Sequence, residues 1–107
     1  MYYSILYYEK QPIALACLST KRRIVRFSKL KHQNLASDFY LMCVESIKYD
    51  LEQLNKQAKK LNEQDLLTKF NESTQYLANS FKFSKVKYIN TNDFDLEVIK
   101  LVQKFNN

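Results

Sequence analysis

Seven basic side chains fall within residues 1–37, against one acid, Glu9. They are Lys10, Lys21, Arg22, Arg23, Arg26, Lys29 and Lys31. Residues 38–107 hold ten lysines and ten acids, so the net charge of +6 comes from the first third of the chain. Because like charges in one segment repel each other and the fold does not need them there, this distribution indicates a negatively charged partner.

The basic cluster has the chemistry to bind phosphate or carboxylate groups. A guanidinium group forks two hydrogen bonds onto either anion, and alternation on a strand would place Arg22 and Arg26 on one face. The candidate partner-binding residues are Lys21, Arg22, Arg23, Arg26, Lys29, Lys31 and Lys85. A nucleic-acid backbone and an acidic protein surface fit this cluster equally well, and a solvated edge strand whose charges block aggregation would look the same.

Two further features bear on the nucleic-acid interpretation. A second basic set, Lys82, Lys85 and Lys87, would join the first if its strand paired beside the arginines. Bases stack on exposed rings, and the tyrosines of the first strand are available, although at most two can lie on its exposed face. These tyrosines are Tyr2, Tyr3, Tyr7 and Tyr8. A standard RNA-recognition octamer is excluded, because it requires glycine.

The chain contains no glycine, and this excludes several kinds of enzyme. A Walker loop, a dinucleotide-binding turn and a nucleophile elbow each need glycine where the backbone turns sharply or approaches phosphate. The same absence predicts that two-residue primed hairpin turns are rare. His32 is the only histidine, and no cysteine or carboxylate lies at ligand or triad spacing from it. We therefore expect no enzymatic activity and no cofactor.

The remaining acids and thiols have structural explanations. Asp93, Asp95 and Glu97 lie where a helix would begin, and acids in a first turn are expected there without a metal. Cys17 and Cys43 lie in apolar segments and are too few for a zinc knuckle, so we expect two free thiols rather than a disulfide.

Three short segments at the start of the chain read as strands joined by tight links. Residues 2–8 are rich in aromatics, residues 13–18 alternate large and small apolar side chains, and residues 22–28 alternate again. Residues 81–89 predict a fourth strand. Its apolar residues have odd numbers at first (Phe81 and Phe83) and even numbers afterwards (Val86 and Tyr88). This change of phase predicts a bulge or bend near residues 84 and 85.

The remaining segments have helical spacing. Apolar residues at intervals of three and four predict one long helix over residues 37–61, capped by Ser37 or Asn34. After an interruption at 62–65 they support a shorter helical segment, either a second helix or a bent continuation of the first. The apolar residues assigned to the long helix are Leu35, Phe39, Met42, Cys43, Ile47, Leu51, Leu54, Ala58 and Leu61. Asn92 or Asp93 caps a closing helix.

The order β-β-β-α-α-β-α predicts a single α+β domain over residues 1–107. We expect an antiparallel sheet of three to four strands, packed on one face by helices. The apolar run at 12–18 is too short to cross a membrane, and no signal-like leader precedes the first strand, so we expect a cytoplasmic protein.

Four short stretches resemble a family of small bacterial and phage proteins of unknown function, often encoded beside HipA-like kinases. Residues 3–8 (Tyr-Ser-Ile-Leu-Tyr-Tyr) and 13–18 are similar to its first two strands, and residues 50–54 (Asp-Leu-Glu-Gln-Leu) to its helix centre. Residues 79–84 (Asn-Ser-Phe-Lys-Phe-Ser), with the Asn-Asp pair and the helix that follow, resemble its C-terminal segment.

This chain departs from that family at two places. The family has a glycine in the second strand and an arginine in the first, where this chain has Ala14 or Ala16 and Tyr7. The resemblance implies no catalytic residues. It implies a setting of phages, mobile elements and toxin–antitoxin loci.

We interpret the chain as a non-enzymatic binding protein, a mobile-element accessory that inhibits or regulates a protein partner through a basic sheet edge. The anchors would be Arg22, Arg23 and Arg26, since desolvated arginines are frequent hot spots. The alternative is sequence-independent nucleic-acid binding, to which the same residues would add Lys29, Lys31 and Lys85. A third interpretation is a structural homodimer, joined along an exposed strand or along the long helix, whose apolar residues have heptad spacing over residues 47–61.

Overall fold

The first third of the chain forms an antiparallel meander, as its alternating pattern predicts. It consists of β1 (Tyr2–Tyr8), β2 (Gln11–Ser19) and β3 (Ile24–Lys29). The computed structural model describes residues 1–31, 37–75, 77–78 and 80–106. The α+β class and the antiparallel sheet are confirmed.

The turn between β1 and β2 is of the kind that the absence of glycine predicts to be rare. Glu9 and Lys10 have φ angles of 47° and 71°, the left-handed pair that defines a primed two-residue hairpin. The right-handed twist of the two strands demands this turn, even though a non-glycine residue is strained in it. The strain is therefore tolerated at the first hairpin because the long pairing of β1 with β2 holds it in place.

Three short strands complete the sheet: β4 (Leu77–Ala78), β5 (Phe81–Phe83) and β6 (Lys87–Tyr88). The strand order is β3-β2-β1-β5-β4, and β6 also pairs with β1. The single strand expected over residues 81–89 is thus two strands that lie along the same edge of β1.

The interruption between β5 and β6 is the predicted bulge. The pairing of Leu6 with Phe83 and of Tyr3 with Lys87 leaves one extra residue on the later strand. Ser84 holds the bulge in place, because its hydroxyl oxygen accepts a hydrogen bond from Ile5 N at 2.8 Å and its carbonyl accepts one from Ser4 Oγ at 2.6 Å. The Ser84 N–H in turn donates to the Ile5 carbonyl at 2.7 Å.

The first and last helices begin at predicted caps, and the middle helix begins at the predicted interruption. α1 (Asp38–Gln57) begins after Ser37, whose side chain accepts from Tyr40 N, and it passes into a 3-10 turn at Ala58–Lys60. α2 (Glu63–Ser73) is a separate helix capped by Asn62. α3 (Phe94–Asn106) follows Asp93, whose carboxylate accepts from Leu96 N at 3.0 Å. Asn34 and Leu35 lie outside the described residues.

The helices cover both faces of the sheet, and here the structure differs from the expectation of one covered face. α1 and α2 pack on the face that carries Leu6, Ala14 and Ala16, while α3 packs on the opposite face, against Ile5 and Leu15. All residues from 13 to 18 are buried. A strand that is apolar on both faces requires a layer on each side, and the third helix supplies the second layer.

We expect the substitution Lys10→Gly to raise the free energy of unfolding by about 0.5–1 kcal/mol, because glycine adopts a left-handed backbone without the Cβ penalty. Denaturation in guanidinium chloride measures the change. The control is Lys87→Gly, on a strand and outside the positive-φ positions, which we expect to lower the free energy of unfolding by a similar amount. A Lys10→Gly protein no more stable than wild type would contradict the assignment of strain to this turn.

We expect Ser84→Ala to lower the free energy of unfolding by about 1–3 kcal/mol, since it leaves the partly buried Ile5 N–H without its acceptor. Thermal and chemical denaturation measure this loss. Thr68→Ala, an exposed change on α2, is the control and should leave stability nearly unchanged. Equal stability of the Ser84 variant and the control would show that the bulge does not depend on this hydroxyl.

Candidate functional site: a basic end of the sheet

The fold brings two basic segments together at one end of the sheet. The turn between β2 and β3 carries Lys21, Arg22 and Arg23, and it meets the end of α1 with its 3-10 turn, which carries further lysines. We call this surface the basic end, and define it by Lys21, Arg22, Arg23, Lys56, Lys59 and Lys60. All of these residues except the partly buried Arg23 are exposed.

Two hydrogen bonds join these segments. Lys59 Nζ donates to the Arg22 carbonyl at 2.6 Å, and Asn55 Oδ1 accepts from Val25 N at 2.9 Å. The second bond satisfies a backbone donor on β3, which is an edge strand. The long helix therefore covers the start of this edge and adds its own lysines to those of the turn.

Two of the arginines pair with one carboxylate on α3. Arg26 Nη1 donates to Asp95 Oδ1 at 2.6 Å and Arg22 Nη1 donates to Asp95 Oδ2 at 3.1 Å. The Arg26 guanidinium also lies 5.2 Å from the centre of the Phe94 ring, within range of a cation–π contact. Hydrogen bonds from Arg26 and then Arg22 hold the pKa of Asp95 below its ordinary value.

The sequence predicted Arg22 and Arg26 as anchors for a partner, and the structure gives them an internal role as well. They attach the start of α3 to the edge strand. Their side chains stay 51% and 39% exposed, so each keeps donors that face solvent. An outside anion would share these groups with Asp95.

Arg23 lies at the tip of the turn in a left-handed conformation, with φ of 54°. Its Nε atom is buried and has no hydrogen-bond partner among the residues that the structure describes. A buried atom of this kind does not reach a ligand, so the Nε atom of Arg23 takes no part in binding.

A small cleft opens beside the basic end, with a volume of about 210 Å³. Lys21, Arg22, Tyr88 and the polar loop before α3 all contribute to its lining. Tyr88 is 60% exposed, and its ring packs on Tyr2 with centroids 5.0 Å apart. The cleft thus places an exposed aromatic ring near two cationic side chains.

The amino terminus also lines this cleft. The Met1 ammonium group donates to the Ile89 carbonyl at 2.6 Å, and its pKa is lowered by partial burial and then by the charge of Lys21. The positive field of the turn therefore extends to this group.

The remaining predicted partner-binding residues lie elsewhere. Lys29 pairs with Glu45 on α1 at 2.6 Å, and the Lys31 backbone N–H donates to Asn106 at the end of α3. Lys85 follows β5, on the far side of β1 and β2 from β3. The two basic sets do not merge as the sequence suggested, because β2 already occupies the edge of β1 nearest to the arginines.

Sequence reasoning missed the lysines of α1 and its 3-10 turn. Lys56, Lys59 and Lys60 were counted in the neutral two thirds of the chain, where acids balance them in number. Their spacing of three and four residues indicates one patch at the end of a helix. Only the tertiary fold shows that this patch adjoins the arginine turn.

The other candidates for chemistry supply no site in the described part of the chain. Cys17 is a free thiol whose pKa burial raises to about 12, and Cys43 is a free, partly buried thiol. No group of three His, Cys, Asp or Glu side chains within residues 1–31, 37–75, 77–78 and 80–106 is placed to hold a metal ion. His32 lies outside these ranges. No described helix is long and apolar enough to cross a membrane.

Comparison of the chain with protein-family models, with curated proteins and with solved structures finds no match in any of the three. The resemblance to the family encoded beside HipA-like kinases stays a prediction.

We expect the bridges to Asp95 to make stability depend on acid pH. The folded-state pKa of Asp95 lies below its ordinary value of 3.8, so the bridges stabilise the protein above pH 3.8. This contribution is lost as the pH falls below 3.8 through the lowered pKa. In urea denaturation, Asp95→Asn should therefore be less stable than wild type at neutral pH, and the difference should shrink towards pH 2. A difference that is the same at both pH values would contradict the role of the charged carboxylate.

Proposed function

We propose that the protein binds nucleic acid without sequence specificity, and single strands in preference to duplexes, through its basic end. The observation that supports this most is the contact between two distant segments, which together carry six basic residues, at one end of the sheet beside an exposed aromatic ring. Several cations that neutralise successive phosphates give affinity without reading bases.

The types of the basic residues favour phosphate over a protein surface. Four of the six residues of the basic end are lysines, and lysine is depleted in protein–protein interfaces but is an effective point charge for phosphate. Arg22 already has a carboxylate partner in Asp95, which reduces its value as an anchor for a second carboxylate. A chain of phosphates needs only the summed charge and tolerates mobile lysine side chains.

The cleft favours a single strand. Its volume of about 210 Å³ is below that of most sites for drug-sized molecules, and suits one base or one phosphate. Tyr88 presents a ring onto which an unpaired base can stack, whereas the bases of a duplex are already stacked on each other. The combination of cations that follow a backbone with an aromatic platform is typical of single-strand binding.

An acidic protein partner in a phage or mobile-element setting, which is the leading interpretation from the sequence alone, is our second proposal. The donors of Arg22 and Arg26 that still face solvent support it, since an acidic side chain could join Asp95 on the same two guanidinium groups. The resemblance to small proteins encoded beside HipA-like kinases fits such a regulatory partner. Binding to nucleic acid and binding to a protein predict different responses in the experiment below.

The test uses the combined substitution of Lys21, Lys56 and Lys60 by alanine. These lysines are exposed, and the substitution leaves the Asp95 bridges and the Lys59 bond in place. We expect wild type to bind a labelled single strand of about 20 nucleotides and to weaken about a hundredfold or more between about 50 and about 200 mM salt. The variant should bind more than about tenfold less tightly at the lower salt, with a shallower salt dependence. Fluorescence anisotropy measures both.

The matched control replaces Lys69, Lys82 and Lys85 by alanine. This variant has the same net charge, but its substitutions lie away from the basic end, so we expect it to bind as wild type does. Equal losses in the two variants would mean that overall charge, and no particular site, governs binding. Absence of binding by wild type at low salt would overturn the proposal, and the protein partner would then become the leading one.

A third variant, Tyr88→Ala, tests the aromatic platform. We expect it to weaken single-strand binding by about tenfold with the salt dependence unchanged, since stacking on a base involves no counterion release. Equal binding of single strands and duplexes by wild type would contradict the preference for single strands.

A further inference from the structure

Among the residues that the structure describes, the outer face of α1 carries a stripe of exposed apolar side chains that belongs to neither core cluster. Phe39, Met42 and Tyr49 are 55%, 67% and 61% exposed. With Ser46 between them they follow the spacing 39, 42, 46, 49, which alternates three and four residues as a coiled-coil seam does. We call these four residues the outer stripe.

The outer stripe is distinct from the apolar face of α1 that packs on the sheet. The buried residues of the helix are Tyr40, Val44, Ile47, Leu51 and Leu54. The heptad-spaced residues that suggested a dimer from the sequence belong to this buried face and are covered by the protein's own sheet. The sequence placed Phe39 and Met42 in the same helical pattern as these buried residues, yet both are exposed.

We propose that the outer stripe joins two copies of this chain into an antiparallel, two-fold symmetric dimer. In a symmetric antiparallel pair centred at position 44, Phe39 of one copy meets Tyr49 of the other, and Met42 meets Ser46. The residue numbers of each pair sum to 88, and each pair occurs twice in the symmetric dimer. A single register of the two helices therefore makes all four contacts. An isologous interface requires this kind of self-complementarity.

The side chains at these contacts suit one another. Two aromatic rings meet at each end of the seam, and aromatic pairs add to the free energy of area burial. At the centre a long, flexible methionine lies opposite a small serine, so large and small residues alternate across the seam and the two helices can approach closely. Beyond Tyr49 the same spacing reaches Gln53 and Lys56, which are polar and end the seam.

The distribution of charge favours the antiparallel direction. The basic end lies at the C-terminal end of α1, about 15 residues beyond the proposed axis, or about 22 Å at the helical rise per residue. An antiparallel pair separates the two basic ends by about 45 Å, several times the screening length at physiological salt, whereas a parallel pair would bring them together. Near the axis, Lys29 of the same copy pairs with each Glu45 and offsets the repulsion between the two carboxylates.

The area of the outer stripe predicts a weak dimer. Three side chains, each more than half exposed, contribute on the order of 100 Å² each, so the two copies together bury roughly 600–1,000 Å² once neighbouring atoms are included. This lies at or below the lower end of specific interfaces. We therefore expect dimerisation at tens to hundreds of micromolar protein, independent of salt to a first approximation.

Sedimentation velocity and light scattering, over about 5 to 500 µM protein, test the proposal. We expect the average mass to rise from that of one chain towards that of two, and Met42→Glu with Tyr49→Glu to keep the protein monomeric throughout. Because both residues are exposed, the variant should have a thermal unfolding midpoint close to that of wild type. The matched control is Leu96→Glu with Ile99→Glu, two exposed apolar residues on α3, which should dimerise as wild type does.

A short bis-maleimide reagent provides a second measurement. Cys43 flanks the outer stripe one residue from the proposed axis, while Cys17 is buried and its pKa is raised to about 12. We expect cross-linked dimers from wild type and a large loss of them in Cys43→Ser and in the Met42/Tyr49 variant. A monomer at every concentration, a dimer lost only in the α3 variant, or cross-linking unaffected by the outer stripe would each overturn the proposal. Nucleic-acid binding at low protein concentration does not depend on the dimer, so the two proposals fail separately.

Discussion

The pairing of β1 with β2, buried on both faces, is the constraint on which the rest of the structure depends. Every residue from 13 to 18 on β2 is shielded, and Ile5 and Leu6 on β1 face opposite cores. Two apolar faces need two covering layers. α1 and α2 supply one, and the chain must then pass along the free edge of β1 as β5 and β6 before α3 covers the other. The bulge at Ser84 belongs to this passage along β1.

The position of the basic end follows from that layering. Because α3 crosses the second face, its first turn arrives beside the edge strand, and Asp95 meets Arg22 and Arg26. Because α1 covers the first face, its last residues arrive at the same turn, and Lys59 binds the Arg22 carbonyl. One helix thus supplies the carboxylate that orders the arginines, and the other supplies additional positive charge. Asp95 offsets part of the positive charge that the sequence concentrates in the first third of the chain. The lysines at the end of α1 add positive charge at the same end of the sheet.

Features that depend on residues close together in the sequence were predicted. Features that depend on the packing of segments distant in the sequence were missed. The cap at Ser37 and the bulge at Ser84 leave a local pattern of residue type and phase, and both were predicted. The primed turn at Lys10 was not predicted. The twist of the paired strands requires this turn and overrides the conformational preference of the residues in it. Met42 has the spacing of a core residue, yet it lies on a second apolar stripe of α1 that faces solvent. Only the position of the sheet relative to the helix shows which of the two stripes is buried.

The two proposed surfaces are compatible because they lie at different places on one rigid helix. The outer stripe occupies residues 39–49 of α1, and the lysines of the basic end follow beyond residue 55. In the antiparallel dimer the two basic ends would face outward about 45 Å apart, too far for mutual repulsion at physiological salt. Two separated sites on one particle can hold the same strand, and the second contact then forms at a high effective concentration. A weak dimer would thereby raise the affinity for long strands far more than for short ones, without any new contact to the phosphates.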